Sequence, residues 1–217
     1  MSFHTRLAGI VFLSIVQVVL WCFTCAAAGA EKKPVDDYTV LLARAKLEPM
    51  SADFSKLRMA FTKSPAYRPY ETYAAEDKEI EAAIAAADWK RAGDLLVALL
   101  EKNYLRLKSH VYAITIYDKI DNPERGLYHR AFFDKLLDAV VGTRDGRTTA
   151  TAFVVINIEE ERDVIRLSGF KLESQKVHRE GGKLFDVTKV TRGGETVELY
   201  FDVTLPSKYS VSSPVKK

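Results

Sequence analysis

Two helix openings set 34 residues apart (122 − 88) constrain this chain more than any other feature. Asp88-Trp89-Lys90-Arg91-Ala92 begins one apolar-striped segment, and Asn122-Pro123-Glu124-Arg125-Gly126 begins the next. Aspartate and asparagine side chains accept hydrogen bonds from the free amides of a first helical turn, and a proline just inside that turn gives up no bond. The first segment carries Trp89, Ala92, Leu96, Leu99 and Leu100 on one stripe; the second carries Leu127, Ala131, Phe132, Leu136 and Val140. Such stripes are buried only against another element, so a repeated opening predicts helices stacked on one another.

Upstream and between these segments the helical spacing continues. Asp36 or Asp37 can cap a helix bearing Val40, Leu41, Ala43, Ala45 and Leu47 that runs up to Pro49. Ser51 is the expected cap of a second, short helix with Phe54, Leu57, Arg58, Met59 and Phe61. Ala74 to Ala87 reads as a helix through Ile80, Ala83 and Ile84, and Tyr104 to Ile120 through Leu107, Val111, Ile114 and Tyr117. Gly142 is placed to end the last helix.

Beyond Gly142 the period changes. Thr149 to Ile158 is dense in Thr, Val, Ile and Phe and reads as a strand buried on both faces. Glu159-Glu160-Glu161 complements the dipole of a helix start, and Gly169 ends that helix. Gly181-Gly182 and Gly193-Gly194 then predict two tight hairpins joining three strands, with Glu180 facing Lys183 and Arg192 facing Glu195. Pro206 is expected to close the last strand. The expected fold is therefore α+β: an antiparallel helical array followed by a small antiparallel β-sheet of about four strands with one helix. The expected boundaries are 1–30 for a leader, 31–141 for the helices, 142–206 for the β-rich part packed on them, and 207–217 for a flexible tail.

The leader rests on order rather than composition. Arg6 is followed by the apolar run Leu7 to Cys25 and by Ala26-Ala27-Ala28-Gly29-Ala30, the pattern of a secretory signal cleaved after Ala30. A retained anchor is the alternative, since about 20 apolar residues can span a bilayer. Both cysteines, Cys22 and Cys25, fall inside the leader, so the remaining 187 residues (217 − 30) contain none and must hold together by packing. Export to a periplasm or the extracellular space is the expectation, with no membrane attachment once the leader is removed. Without Arg6 the chain has 31 basic and 29 acidic residues, a balance that argues against nucleic-acid binding.

Chemistry is sparse. His110, His129 and His178 lack the spacing of a metal site, and neither a metal nor a cofactor is expected. The adjacent glutamates point different ways on a helix and do not make an opposed acid–base pair. The glycine pairs lie between strands and so do not cradle phosphate. Three candidates remain. Ser64-Pro65-Ala66-Tyr67-Arg68-Pro69-Tyr70, with Tyr73, is an extended tyrosine segment: an aromatic platform for a partner, or, the favoured reading, a strap packed over helices. Asp145-Gly146-Arg147-Thr148-Thr149 is a hydroxyl-rich loop able to bind a small anion, or a plain connection. His129 can approach His110 from the next helix. Tyr67, Tyr70, Asp145, Arg147 and His129 are thus the candidate ligand-binding residues, and no catalytic residue is assigned.

Two resemblances sharpen this. A 34-residue offset is the period of tetratricopeptide-type hairpins, so the helical array resembles that repeat. Asp53-Phe54, Leu57-Arg58, Ser64 to Tyr70, Asp121, Pro123, His129, Asp145-Gly146, Ala152 to Ile156 and Tyr200-Phe201 together resemble an exported bacterial family, a domain of unknown function (number forty-nine nineteen), over about Tyr38 to Leu205. Arg162 departs from the tyrosine that the family pattern implies. The resemblance implies an architecture and no catalytic residues. The expected function is a non-enzymatic interaction or accessory module for an unidentified protein or peptide; the alternative is a hydrolase or small-ligand binder with its site between helices and sheet.

Overall fold

The computed structural model describes residues 37–212; the expected leader and the end of the expected tail lie outside the described residues. The helices are α1 (Asp37–Leu47), α2 (Phe54–Phe61), α3 (Ala74–Ala85), α4 (Trp89–Lys102), α5 (Leu107–Lys119), α6 (Pro123–Val141), α7 (Ile158–Leu167) and α8 (Thr204–Ser212). The strands are β1 (Phe153–Val154), β2 (Lys171–Glu180), β3 (Lys183–Arg192) and β4 (Glu195–Asp202). The chain is α+β, with helices first and a four-stranded sheet after them. No helix among the described residues is long and apolar enough to cross a membrane.

Both repeated caps form. Asp88 accepts from Arg91 N at 3.1 Å and Asn122 from Arg125 N at 3.2 Å, each holding a first-turn amide. The second helix starts two residues later than expected, because Asp53, not Ser51, accepts from Lys56 N at 2.8 Å. From α3 to α6 each helix packs on the next. Two faces differ from the sequence reading. Helix α5 buries His110, Tyr112, Ala113 and Ile116 and leaves Val111, Ile114 and Tyr117 only partly covered. Leu127, expected inside, is 70% exposed, and His129 takes the buried position on α6.

The sheet order is β1-β4-β3-β2. The glycine turns work as expected: Glu180 pairs with Lys183 and Arg192 with Glu195 across the two hairpins. The first strand is a correction. It is two residues long and joins β4 in parallel, through Phe153↔Phe201 and Val154↔Asp202, so the sheet is mixed rather than wholly antiparallel. The long excursion through α7 and the β2–β3 hairpin makes a parallel return possible. The rest of the apolar run is buried without being strand, since side chains take its backbone: Glu160 accepts from Ile156 N at 2.8 Å and the Tyr67 hydroxyl donates to Ile156 O. Helix α8 also occupies residues read as strand end and tail, with Asp202 accepting from Thr204 N at 3.1 Å at its start.

One core is shared by Leu57, Phe61, Phe132, Leu136 and Val140 from the helices and Phe153, Val155, Val164, Val190 and Phe201 from the β-rich part. A second lies within α3–α5, around Ile80, Ala92, Leu96, Leu99 and Ile116. Each fully buried side chain of this kind contributes roughly 1.5–3 kcal/mol. Two buried arginines bridge the layers. Arg58 of α2 donates to both carboxylate oxygens of Glu160 on α7, to Ala139 O on α6 and to Val154 O on β1. Arg106, just before α5, makes a two-pronged contact with Asp77 of α3 at 2.7 Å for each oxygen and reaches Glu159 of α7 at 3.2 Å.

Candidate functional site

A groove of about 570 Å³ opens in the helical array. Lys46 of α1, Val97, Leu100 and Glu101 of α4, Tyr104, Tyr117 of α5, and Asn122, Glu124, Arg125, Tyr128 and His129 at the start of α6 line it. That volume falls in the range of sites that hold small ligands or a few residues of a peptide. Its wall is a row of rings. The Tyr104 and Tyr128 hydroxyls meet at 3.1 Å, the Tyr128 ring meets His129 edge-on at 5.0 Å, and His129 stacks on Tyr117 at 5.5 Å. A cation sits at each end of the row. Lys46 Nζ lies 3.9 Å from the centre of the Tyr104 ring, and the Arg125 guanidinium covers Tyr117 at 5.4 Å while donating to its hydroxyl at 3.1 Å. Helical spacing places Arg125, Tyr128 and His129 on one side of α6, within one turn.

Hydrogen bonding fixes the state of the histidines. His110 Nε2 lies 2.9 Å from Tyr104 O, and a carbonyl can only accept, so Nε2 carries a proton. Burial pushes His110 down to about 3 and His129 down to about 4, where the charge of Arg125 adds to the effect, so both are neutral at pH 7. Neutral His110 therefore has a bare Nδ1, which accepts from His129 Nδ1–H at 2.9 Å. His129 Nε2 is left as an acceptor, and its ring is part of the groove wall. Burial pushes the Tyr104 and Tyr128 hydroxyls up. At neutral pH these groups offer fixed hydrogen bonds and ring faces, whereas an acid–base catalyst works best with a pKa near the operating pH.

Of the five sequence candidates, only His129 lines this groove. Tyr67 is 3% exposed, packs edge-on against Phe61 at 5.6 Å and Tyr209 at 5.3 Å, and spends its hydroxyl on Ile156 O. Tyr70 is 47% exposed, yet its hydroxyl donates to Pro206 O at 3.0 Å. The tyrosine segment thus ties the helices to α7 and α8. Asp145 and Arg147 sit in a loop that closes on itself: Asp145 accepts from Arg147 N at 3.0 Å, Thr148 and Thr151 exchange bonds, and Gly146 N donates to Thr151 O. Hydrogen bonds from Thr151 and the Arg147 backbone hold the Asp145 carboxyl below its usual value. Gly146 has φ +66°, and a Cβ there would run into the Phe153 ring. The loop's composition serves its turn.

Sequence reasoning missed how the glutamate run is used. All three are buried, and each faces a different partner, as adjacent helical positions must. Glu159 meets Arg106 and Arg162, Glu160 meets Arg58, and Glu161 meets Gln175 and Asp186 across to the hairpin. Burial foremost, with the Asp186 charge second, pushes Glu161 up to about 8, and burial pushes Asp186 up as well. Asp163 accepts from Lys108 N at 3.1 Å and caps α5 from another helix. Three acidic residues in a row, in a segment otherwise apolar on its other flank, were the available signal, but nothing local distinguishes a solvated run from one aimed at buried arginines. Among the described residues no group of three or more His, Cys, Asp or Glu side chains could hold a metal ion.

No curated protein and no solved structure matches the chain. A family model does, over residues 37–211, which takes in α1 to nearly the end of α8. Its description is a domain of unknown function (DUF4919), and with most of the sequence inside that match the chain belongs to this family.

Proposed function

We propose that the protein is an exported, non-enzymatic interaction module whose helical groove holds a segment of a partner protein or peptide. The single observation that carries this is the ring-lined groove: it is large enough for a few residues, and its His129 imidazole, pushed down, and its Tyr104 and Tyr128 phenols, pushed up, are uncharged at pH 7. Stacked hairpins of tetratricopeptide type use such faces to bind extended or helical segments. Export follows from the basic-apolar-small order of residues 1–30 and puts the partner in the periplasm or outside the cell. The rival reading, catalysis or small-ligand binding between helices and sheet, needs Asp145, Arg147 and His129 to converge. His129 lies in the groove wall, and neither of the other two lines it.

Immobilised full-length protein exposed to envelope extract tests this. Wild type and Tyr70→Ala should retain the same partner, and Tyr104→Ala/Tyr128→Ala should lose it while keeping a wild-type circular dichroism spectrum. Equal recovery by all three would refute the groove as the site.

A further inference from the structure

The two cations at the ends of the ring row are placed for a ligand's negative charge. Lys46 and Arg125 lie on aromatic faces, and among the described residues neither is within ion-pair distance of a carboxylate. Elsewhere on the helices, Lys90, Lys102 and Lys108 each meet an aspartate or glutamate at 2.6–3.0 Å. Burial pulls Lys46 down from its ordinary value, and the charge of Glu101 opposes this in part. Beside the cations the wall offers the Tyr128 ring and His129, whose bare Nε2 can accept from a donor such as a peptide N–H. Val97 and Leu100 add aliphatic side chains to the lining.

We infer that the segment bound in the groove is acidic and apolar together: a carboxylate, from Asp, Glu or a chain terminus, beside an aromatic or large aliphatic side chain. The carboxylate pairs with Arg125 or Lys46, the apolar side chain lies on the tyrosine rings and Leu100, and a backbone N–H reaches His129 Nε2. Arginine and carboxylate match as a planar, two-pronged pair, and their hydrogen bonds are about twice as strong as neutral ones. Glu101 and Glu124, exposed at the rim, oppose a second negative charge outside the row and so limit the acidic run to one or two residues. This inference rests on the groove being a peptide site.

An array of random heptapeptides probed with the full chain tests both layers separately. Enrichment of Asp or Glu next to Phe, Tyr, Trp or Leu is expected, with binding reduced about tenfold or more when the acid becomes its amide. Arg125→Glu should lose that preference, and Arg130→Glu, on the same helix but outside the groove wall, should keep it. Peptide binding without acidic enrichment, or enrichment unchanged in Arg125→Glu, overturns the inference and leaves the peptide site standing. No peptide binding by wild type, or binding of uronate oligosaccharides in place of peptides, overturns the inference and the peptide site with it.

Discussion

Arg58→Met strands a charge. In the native protein the guanidinium donates to Glu160 at 2.8 and 2.7 Å, to Ala139 O at 2.6 Å and to Val154 O at 2.9 Å, with both charged side chains no more than 5% exposed. The methionine leaves the Glu160 carboxyl in the interior with the Ile156 amide as its remaining donor. Removing one partner of a buried pair costs about 3–5 kcal/mol, and Glu160→Met should cost a similar amount by stranding the arginine. The double replacement removes both charges and leaves two carbonyls and one amide short of a partner. Its cost should lie near that of either single change, a coupling on the order of 3–5 kcal/mol. Urea unfolding at pH 7, followed by far-ultraviolet circular dichroism and by Trp89 fluorescence, measures all three variants. Single costs below about 1 kcal/mol that simply add would refute the reasoning. So would a Trp89 transition separate from the circular dichroism transition in wild type, because a shared core and two cross-layer arginines call for one cooperative unit.

Gly146→Ala should lower stability by about 1–3 kcal/mol in thermal unfolding, since a side chain at positive φ is strained and also meets the Phe153 ring. The Glu161 carboxyl is pushed up to about 8 in the folded chain from 4.5, so its contribution is full below pH 4.5 and is lost as the pH rises through about 8. Urea midpoints between pH 4.5 and 8 should therefore fall more steeply for wild type than for Glu161→Gln, which keeps a donor toward Asp186 without ionising. On the acid side the histidines act in the opposite sense. His129 is pushed down from 6.5 to about 4, so the stability it gives is present above pH 6.5 and is lost as the pH drops toward 4. His129→Asn should flatten midpoints over that interval.

How far the sequence could be read follows from where the deciding partner lies. Asp88, Asn122 and the two glycine pairs act on neighbours within a few residues, and each formed as expected. Phe153 to Ile156 is a different case: its apolar run says buried, but strand or not depends on Tyr67 and Glu160 taking the Ile156 backbone. The same holds for α5, which is covered on several sides by α4, α6 and α7, so no single stripe describes it. The residues that carry the family resemblance turn out to build the fold. Asp53 caps α2, Arg58 bridges the layers, Gly146 makes room for Phe153, and Phe153 packs on Phe201 at 5.5 Å. His129 alone among them reaches the groove, whose other walls come from Lys46, Val97, Tyr104 and Tyr117, residues gathered from separate helices and carrying no motif.

Partner contact through the helical groove is the claim on which the functional account stands. A photo-crosslinking side chain placed at Val97, half-exposed on the groove wall, and in a second variant at Val177, exposed on β2, tests it in intact cells. The account predicts one discrete adduct from Val97, abolished by Tyr104→Ala/Tyr128→Ala, and none from Val177. A discrete adduct from Val177, with Val97 giving none, would contradict it.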